Sequence, residues 1–138
     1  MTVVTGGRYN GKLEYVTNEY GIEDREVLDM AEHEAAVTAD LMEDYRVLYH
    51  LESYIRKAQS EGIDAEDVIM KYANRHPDCI IICDEVGCGI VPMSKEEEDA
   101  REKTGRIMCA LARRAGGIVR VICGSAEKIP FAVSLDKA

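Results

Sequence analysis

Apolar and polar positions divide the chain into short runs with strand character and longer stretches with helical spacing. A brief apolar run at Val3-Val4 enters Gly6-Gly7, and residues 13–20 fit a short helix stopped at Gly21. The next stretch is open between two readings. Residues 26–30 fit a weak strand, while Val27, Ala31, Ala35, Thr38, Leu41 and Tyr45 also fall at helical spacing, which would make 24–45 a helix. Arg46 to His50 is equally open. It fits a buried strand, or the start of a helix whose apolar face continues through Leu51, Tyr54, Ile55 and Ala58 to Gly62. Asp64 then N-caps a helix carrying Val68, Ile69 and Tyr72 to about Arg75, where His76-Pro77 ends it.

The run Cys79-Ile80-Ile81-Ile82-Cys83-Asp84-Glu85 is the strongest strand signal, since continuous apolar residues suit a strand buried on both faces. A glycine-rich loop follows at 86–92. Ser94 then N-caps a helix through Arg114 that begins acidic and ends basic, as the helix dipole favours. Gly116-Gly117 closes that helix, and residues 118–124 form another buried strand. From Lys128 to Ala138 little pattern remains beyond Ile129-Pro130-Phe131. Strand, helix and strand alternate where the pattern is clearest, so the expected class is α/β with a mainly parallel sheet, in one domain over residues 1–138.

Composition narrows the partners. A net charge of −9 and a pI near 4.8 disfavour nucleic acid, and no Lys/Arg patch interleaves with aromatics. No run reaches membrane-spanning length, and the N-terminal stretch lacks signal-peptide character, so no membrane and a cytoplasmic location are expected. Cys79, Cys83, Cys88, Cys109 and Cys123 sit in apolar surroundings, are expected to be small buried thiols, and lack zinc-site spacing.

The chemistry concentrates in two places. Gly6, four intervening residues and Gly11-Lys12 have the frame of a phosphate-binding loop between a strand and a helix. Glycines allow successive N–H groups to face one anion, the lysine adds a point charge, and the following helix presents its positive end. Gly6, Gly7, Arg8, Asn10, Gly11, Lys12 and Leu13 are therefore the expected nucleotide-binding residues, with ATP or GTP as ligand. Leu13 stands where a Ser or Thr hydroxyl would ligate Mg²⁺, so metal assistance is the weak point of the frame. Asp84 and Glu85 end the second strand as a Walker B pair does, which makes Asp84 the candidate Mg²⁺ ligand and Glu85, with Lys12, a candidate catalytic residue. Strand-end acids also serve as caps or arginine partners, and the pattern alone leaves both uses open. Asp84, Glu85, Gly87 and Gly89 form the second glycine-loop group.

Three stretches together resemble one family. These are Thr5-Gly6-Gly7-Arg8-Tyr9-Asn10-Gly11-Lys12, Asp84-Glu85-Val86-Gly87-Cys88-Gly89-Ile90-Val91-Pro92 and Val121-Ile122-Cys123-Gly124. The chain resembles the adenosylcobinamide kinase/adenosylcobinamide-phosphate guanylyltransferase family of cobalamin biosynthesis, most closely over about 78–128. The resemblance implies a three-layer P-loop fold of the RecA-like kind and a homo-oligomer, trimeric in well-known members. It also implies a nucleoside triphosphate that phosphorylates a corrinoid hydroxyl, and GMP transfer through a guanylylated histidine. Lys12-Leu13 departs from the family's Lys-Ser, and Asp84 replaces an Asn. The histidine-bearing segment has no counterpart, leaving only His33 and His50, without a visible base or orienting partner. The expected function is a nucleotide-binding protein of corrinoid metabolism, kinase-like, with guanylyl transfer lost. The alternatives are a catalytically inactive regulatory or partner subunit, and an α/β oligomer whose glycine loops only make turns.

Overall fold

A computed structural model describes residues 1–35, 38–85 and 94–129. Strand β1 (Thr2–Gly6) runs into the glycine loop and helix α1 (Lys12–Tyr20). Gly21 ends α1 in the left-handed conformation, with φ of 64°. Strand β2 (Val27–Asp29) is flanked by 3-10 turns at Asp24–Glu26 and Met30–Glu32, and the short helix α2 (Thr38–Leu41) follows. The long-helix alternative for 24–45 therefore does not form: Val27, Leu28 and Asp29 instead pair parallel with Val47, Leu48 and Tyr49 of strand β3 (Val47–Tyr49). Burial of Leu28, Met30 and Met42 under the sheet outweighs the helical periodicity.

Of the two readings of Arg46 to His50 the strand holds, and the helix begins only at Leu51 because the chain changes structure at His50. That residue adopts φ of 63°, ending β3 and N-capping helix α3 (Leu51–Ser60). Helix α4 (Ala65–Arg75) begins where expected, with the Asp64 carboxylate accepting from Asp67 N–H at 3.2 Å. Strand β4 (Ile80–Asp84), helix α5 (Lys95–Arg114), capped by Ser94, and strand β5 (Gly117–Ile122) complete the expected alternation. Strand β6 (Ser125–Ile129) escaped the sequence pattern. Its five residues are all exposed, so no apolar alternation marks it, and it pairs antiparallel with β5.

The strand order is β2-β3-β4-β1-β5-β6, with β1 to β5 parallel among the described residues. Alternation places the apolar side chains on two faces. Val3, Leu48, Cys79, Ile81 and Cys83 face the side packed by Leu51, Tyr54 and Ile55 of α3, Ile69 and Tyr72 of α4, and Ile107 and Leu111 of α5. Val4, Val47, Ile80, Ile82, Val119 and Val121 face Val16 of α1. The fold is thus a three-layer α/β sandwich with the expected mainly parallel sheet. The buried-thiol expectation holds for Cys79 and Cys83, which are buried, but Cys109 and Cys123 are exposed and Cys88 lies outside the described residues. Cys109 belongs to the outer side of α5, and Cys123 sits in the β5–β6 turn with φ of 49°.

The connection leaving β1 runs toward β2, whereas that leaving β4 crosses to β5 on the far side of β1. Diverging connections open a crevice at the carboxyl ends of β1 and β4, where open α/β sheets bind ligands. The glycine loop sits there.

Candidate functional site

The loop from Gly6 to Lys12 has a backbone that its glycines permit. Gly6 has φ of 154°, and an added Cβ would lie 2.3 Å from the Val121 carbonyl oxygen, so β1 and β5 approach this closely only without a side chain. Gly11 N-caps α1 with φ of 84° and contributes no side-chain acceptor, leaving the first-turn N–H groups of α1 for an anion. Tyr9, at the loop tip, also has positive φ and is 93% exposed, with the Arg8 guanidinium 5.6 Å from its ring centre. Asn10 anchors the loop to the β5–β6 turn: its side-chain oxygen accepts from Cys123 N–H at 3.1 Å, and its carbonyl from Gly124 N–H at 2.9 Å.

Lys12 is 4% exposed, and its ammonium folds back across the loop. It donates to the Gly7 carbonyl at 2.7 Å and forms an ion pair with Asp84 Oδ1 at 2.6 Å. Register makes this possible, because Gly6 lies beside Asp84 in the β1–β4 pair. The backbone N–H of Asp84 donates to Glu52 Oε1 at 2.7 Å, so the start of α3 is tied to the same point. The two strand-end acids divide the uses open to them. Asp84 faces the loop lysine, whereas Glu85 is held by Arg120, at 2.7 Å to Nε and 3.1 Å to the second guanidinium contact. Leu13 is half-buried against the α1 face of the core and presents only methyl groups. Gly87 and Gly89, the remaining second-loop residues, lie outside the described residues.

The residues present fit Mg²⁺ poorly. Leu13 has no oxygen, Asp84 already engages Lys12, and the described residues contain no group of three His, Cys, Asp or Glu side chains able to hold a metal.

A second constellation went unseen in the sequence. At the carboxyl ends of β2 and β3, His50 Nδ1 meets Asp29 Oδ1 at 2.7 Å, and the imidazole stacks on Tyr49 with ring centres 3.7 Å apart. An orienting partner for His50 therefore exists, although residue spacing showed none. Asp29 also accepts from Ala31 N–H at 3.0 Å, and Lys57 secures the following turn by donating to the carbonyls of Met30, Ala31 and His33. Among the described residues His33 contributes that carbonyl. Burial raises the Tyr49 phenol above its ordinary range, and the nearby carboxylates of Asp84, Asp29 and Glu52 add to the effect. That influence marks how closely the acids of β2, α3 and β4 converge. The signal was nonlocal: Asp29 and His50 are 21 positions apart and meet only because Asp29 pairs with Tyr49 across the sheet.

No helix among the described residues is long and apolar enough to cross a membrane. A family model described as cobinamide kinase / cobinamide phosphate guanyltransferase matches residues 26–129 of the 138. The match spans β2 to β6, including the Asp29–His50 pair, Asp84 and Glu85, and it leaves out the loop at 6–12. No curated protein matches the chain. A match of this extent shows that the chain belongs to the cobinamide kinase / cobinamide phosphate guanyltransferase family, a family of cobalamin biosynthesis that acts on nucleoside triphosphates and cobinamide.

Proposed function

We propose that this single domain is a nucleotide-dependent kinase for a corrinoid hydroxyl, with guanylyl transfer lost. One observation carries the reading: a buried ammonium, Lys12, held at the base of a glycine loop between a strand end and a helix N-terminus. A lysine rarely stays buried without a task or a partner. Here the partner is Asp84, and an incoming phosphate offers the same ammonium a second anion without moving it into water. Phosphoryl transfer needs mainly positioning and charge stabilisation. The amides of residues 7–13 and Lys12 would hold the β- and γ-phosphates of ATP or GTP. Arg8, exposed and lying against Tyr9, would reach the same phosphates. Glu85, braced by Arg120, would line the side of the crevice nearest β5. Mg²⁺ would reach this site only with the nucleotide, and no step is assigned to it.

Leu13 supports a second reading, in which the domain binds nucleotide or corrinoid as an inactive partner subunit, because it removes the hydroxyl that a Mg²⁺-dependent loop uses. Calorimetric titration with ATP and GTP, with and without Mg²⁺, followed by a cobinamide phosphorylation assay, separates the two. Under the kinase reading Lys12→Ala weakens nucleotide binding roughly tenfold or more, a loss of ~1.4 kcal/mol or above. Unchanged affinity in that variant removes the loop from the site. Binding without phosphoryl transfer favours the partner-subunit reading. Self-association as a homo-oligomer, a trimer by family resemblance, is part of the same proposal and is read by sedimentation.

A further inference from the structure

We propose that His50 is the general base of the phosphoryl transfer, with Asp29 as its positioning residue; this rests on the kinase reading above. An ionised carboxylate only accepts hydrogen bonds. In the neutral imidazole the 2.7 Å contact to Asp29 Oδ1 therefore puts the proton on Nδ1 and leaves the Nε2 lone pair available. No partner for Nε2 occurs among the described residues, and the side chain is 26% exposed, so a substrate can reach it. Two features fix the ring, the Asp29 bond and the Tyr49 stack, and the backbone beneath it turns at φ of 63° between β3 and α3. Asp29 is itself pinned by Ala31 N–H, and the turn beyond it by Lys57.

Position agrees with the role. β3 and β1 are separated only by β4, so the two strands lie two strand spacings apart, about 10 Å, with Tyr49 of β3 level with Val4 of β1. A phosphate oxygen sits about 3 Å from a lysine ammonium, an attacking oxygen about 3 Å from phosphorus, and a base about 3 Å from the hydroxyl it deprotonates. A chain of these contacts is about 9 Å long, comparable with the spacing of the two strands. In the step, the corrinoid alcohol oxygen forms a bond to the γ-phosphorus and the bond between that phosphorus and the β–γ bridging oxygen breaks. The nucleoside diphosphate leaves with the electron pair, and the hydroxyl proton passes to Nε2. The imidazolium so formed is stabilised by Asp29. Asp29 from β2 and Tyr49 of β3 contact the ring, and Asp84 of β4 and Glu52 from the first turn of α3 lie near the same Tyr49.

The test uses the full chain, ATP and cobinamide, with nucleotide affinity measured in parallel. His50→Asn places an amide near the Nδ1 position, can still donate to Asp29, tolerates positive φ and lacks Nε2. It is expected to lower kcat by roughly 10²–10⁴ with nucleotide affinity unchanged, and to flatten the acidic limb of the pH–rate profile. Asp29→Asn, which keeps the acceptor for Ala31 N–H, is expected to lower kcat with the same unchanged affinity, and it carries the test if His50→Asn unfolds. Rates within about threefold of wild type in a folded variant overturn the base and leave the kinase reading standing. Phosphate or GMP attached to His50 by intact mass overturns it too, making the residue a covalent carrier. Lys12-dependent ATP binding without transfer by the wild type removes the kinase reading and the base together.

Discussion

Replacing Lys12 by methionine isolates the energy of the buried ion pair. Methionine keeps most of the stem volume and deletes the ammonium, which leaves the Asp84 carboxylate, only 13% exposed, facing a protein interior without its counter-charge. Removing one partner of a desolvated pair costs about 3–5 kcal/mol, a large share of the ~5–15 kcal/mol that holds a domain of this size together. With a urea dependence of about 2 kcal/mol per molar, the unfolding midpoint of Lys12→Met falls by roughly 2 M. Adding Asp84→Asn removes the stranded charge, and replacing both members of a buried pair is close to neutral. The double variant is therefore expected within about 1 kcal/mol of wild type. Urea titrations of wild type, the two single variants and the double variant complete the cycle, provided the slope stays constant. A Lys12→Met protein within about 0.5 kcal/mol of wild type would falsify the claim that the pair is desolvated. A double variant as unstable as Lys12→Met would trace the loss to packing of the stem.

Gly6→Ala is expected to cost about 3 kcal/mol or more, from positive φ combined with a Cβ 2.3 Å from the Val121 carbonyl oxygen; a urea midpoint near wild type would mean β1 and β5 separate freely. Burial raises the Cys79 thiol from 9.0 to about 11, so the unfolded chain loses that proton first. The contribution is complete below pH 9 and disappears as pH rises toward 11, about 2–3 kcal/mol in all, and stability measured from pH 8 to 11 should fall less steeply in Cys79→Ala. Mg²⁺ is expected to improve wild-type nucleotide affinity by less than ~threefold and that of Leu13→Ser by more, with thermal unfolding followed alongside; strong Mg²⁺-dependent transfer by the wild type would sink the argument from Leu13.

Local signals marked the elements whose chemistry is contained in their own residues. The capping residues Asp64 and Ser94, the stops at Gly21 and Gly62, and the apolar run at 79–83 act within a few positions, so they were legible before any packing was known. The loop from Gly6 to Lys12 belongs with them, since its glycines and lysine all fall within one short stretch. The stretch 24–50 was not legible in this way. Its three-residue strands are too short to show a period, and their state depends on pairing with each other and on the core beneath them. β6 failed for a different reason: with both faces exposed it has no apolar alternation, and only its ladder to β5 makes it a strand.

The sequence by itself determined the alternation of elements and the glycine loop, and its resemblance over the later strands identified the family. Tertiary structure alone decided which acid serves which partner. Asp84 and Glu85 are adjacent, and nothing in their spacing assigns the first to Lys12 and the second to Arg120; opposite side-chain directions at a strand end, set by the β1–β4 and β1–β5 registers, make that assignment. The same holds for His50, whose carboxylate partner comes from another strand. Capping and periodicity are short-range effects that neighbouring residues carry, whereas an ion pair or an oriented imidazole depends on where the sheet brings distant strand ends together.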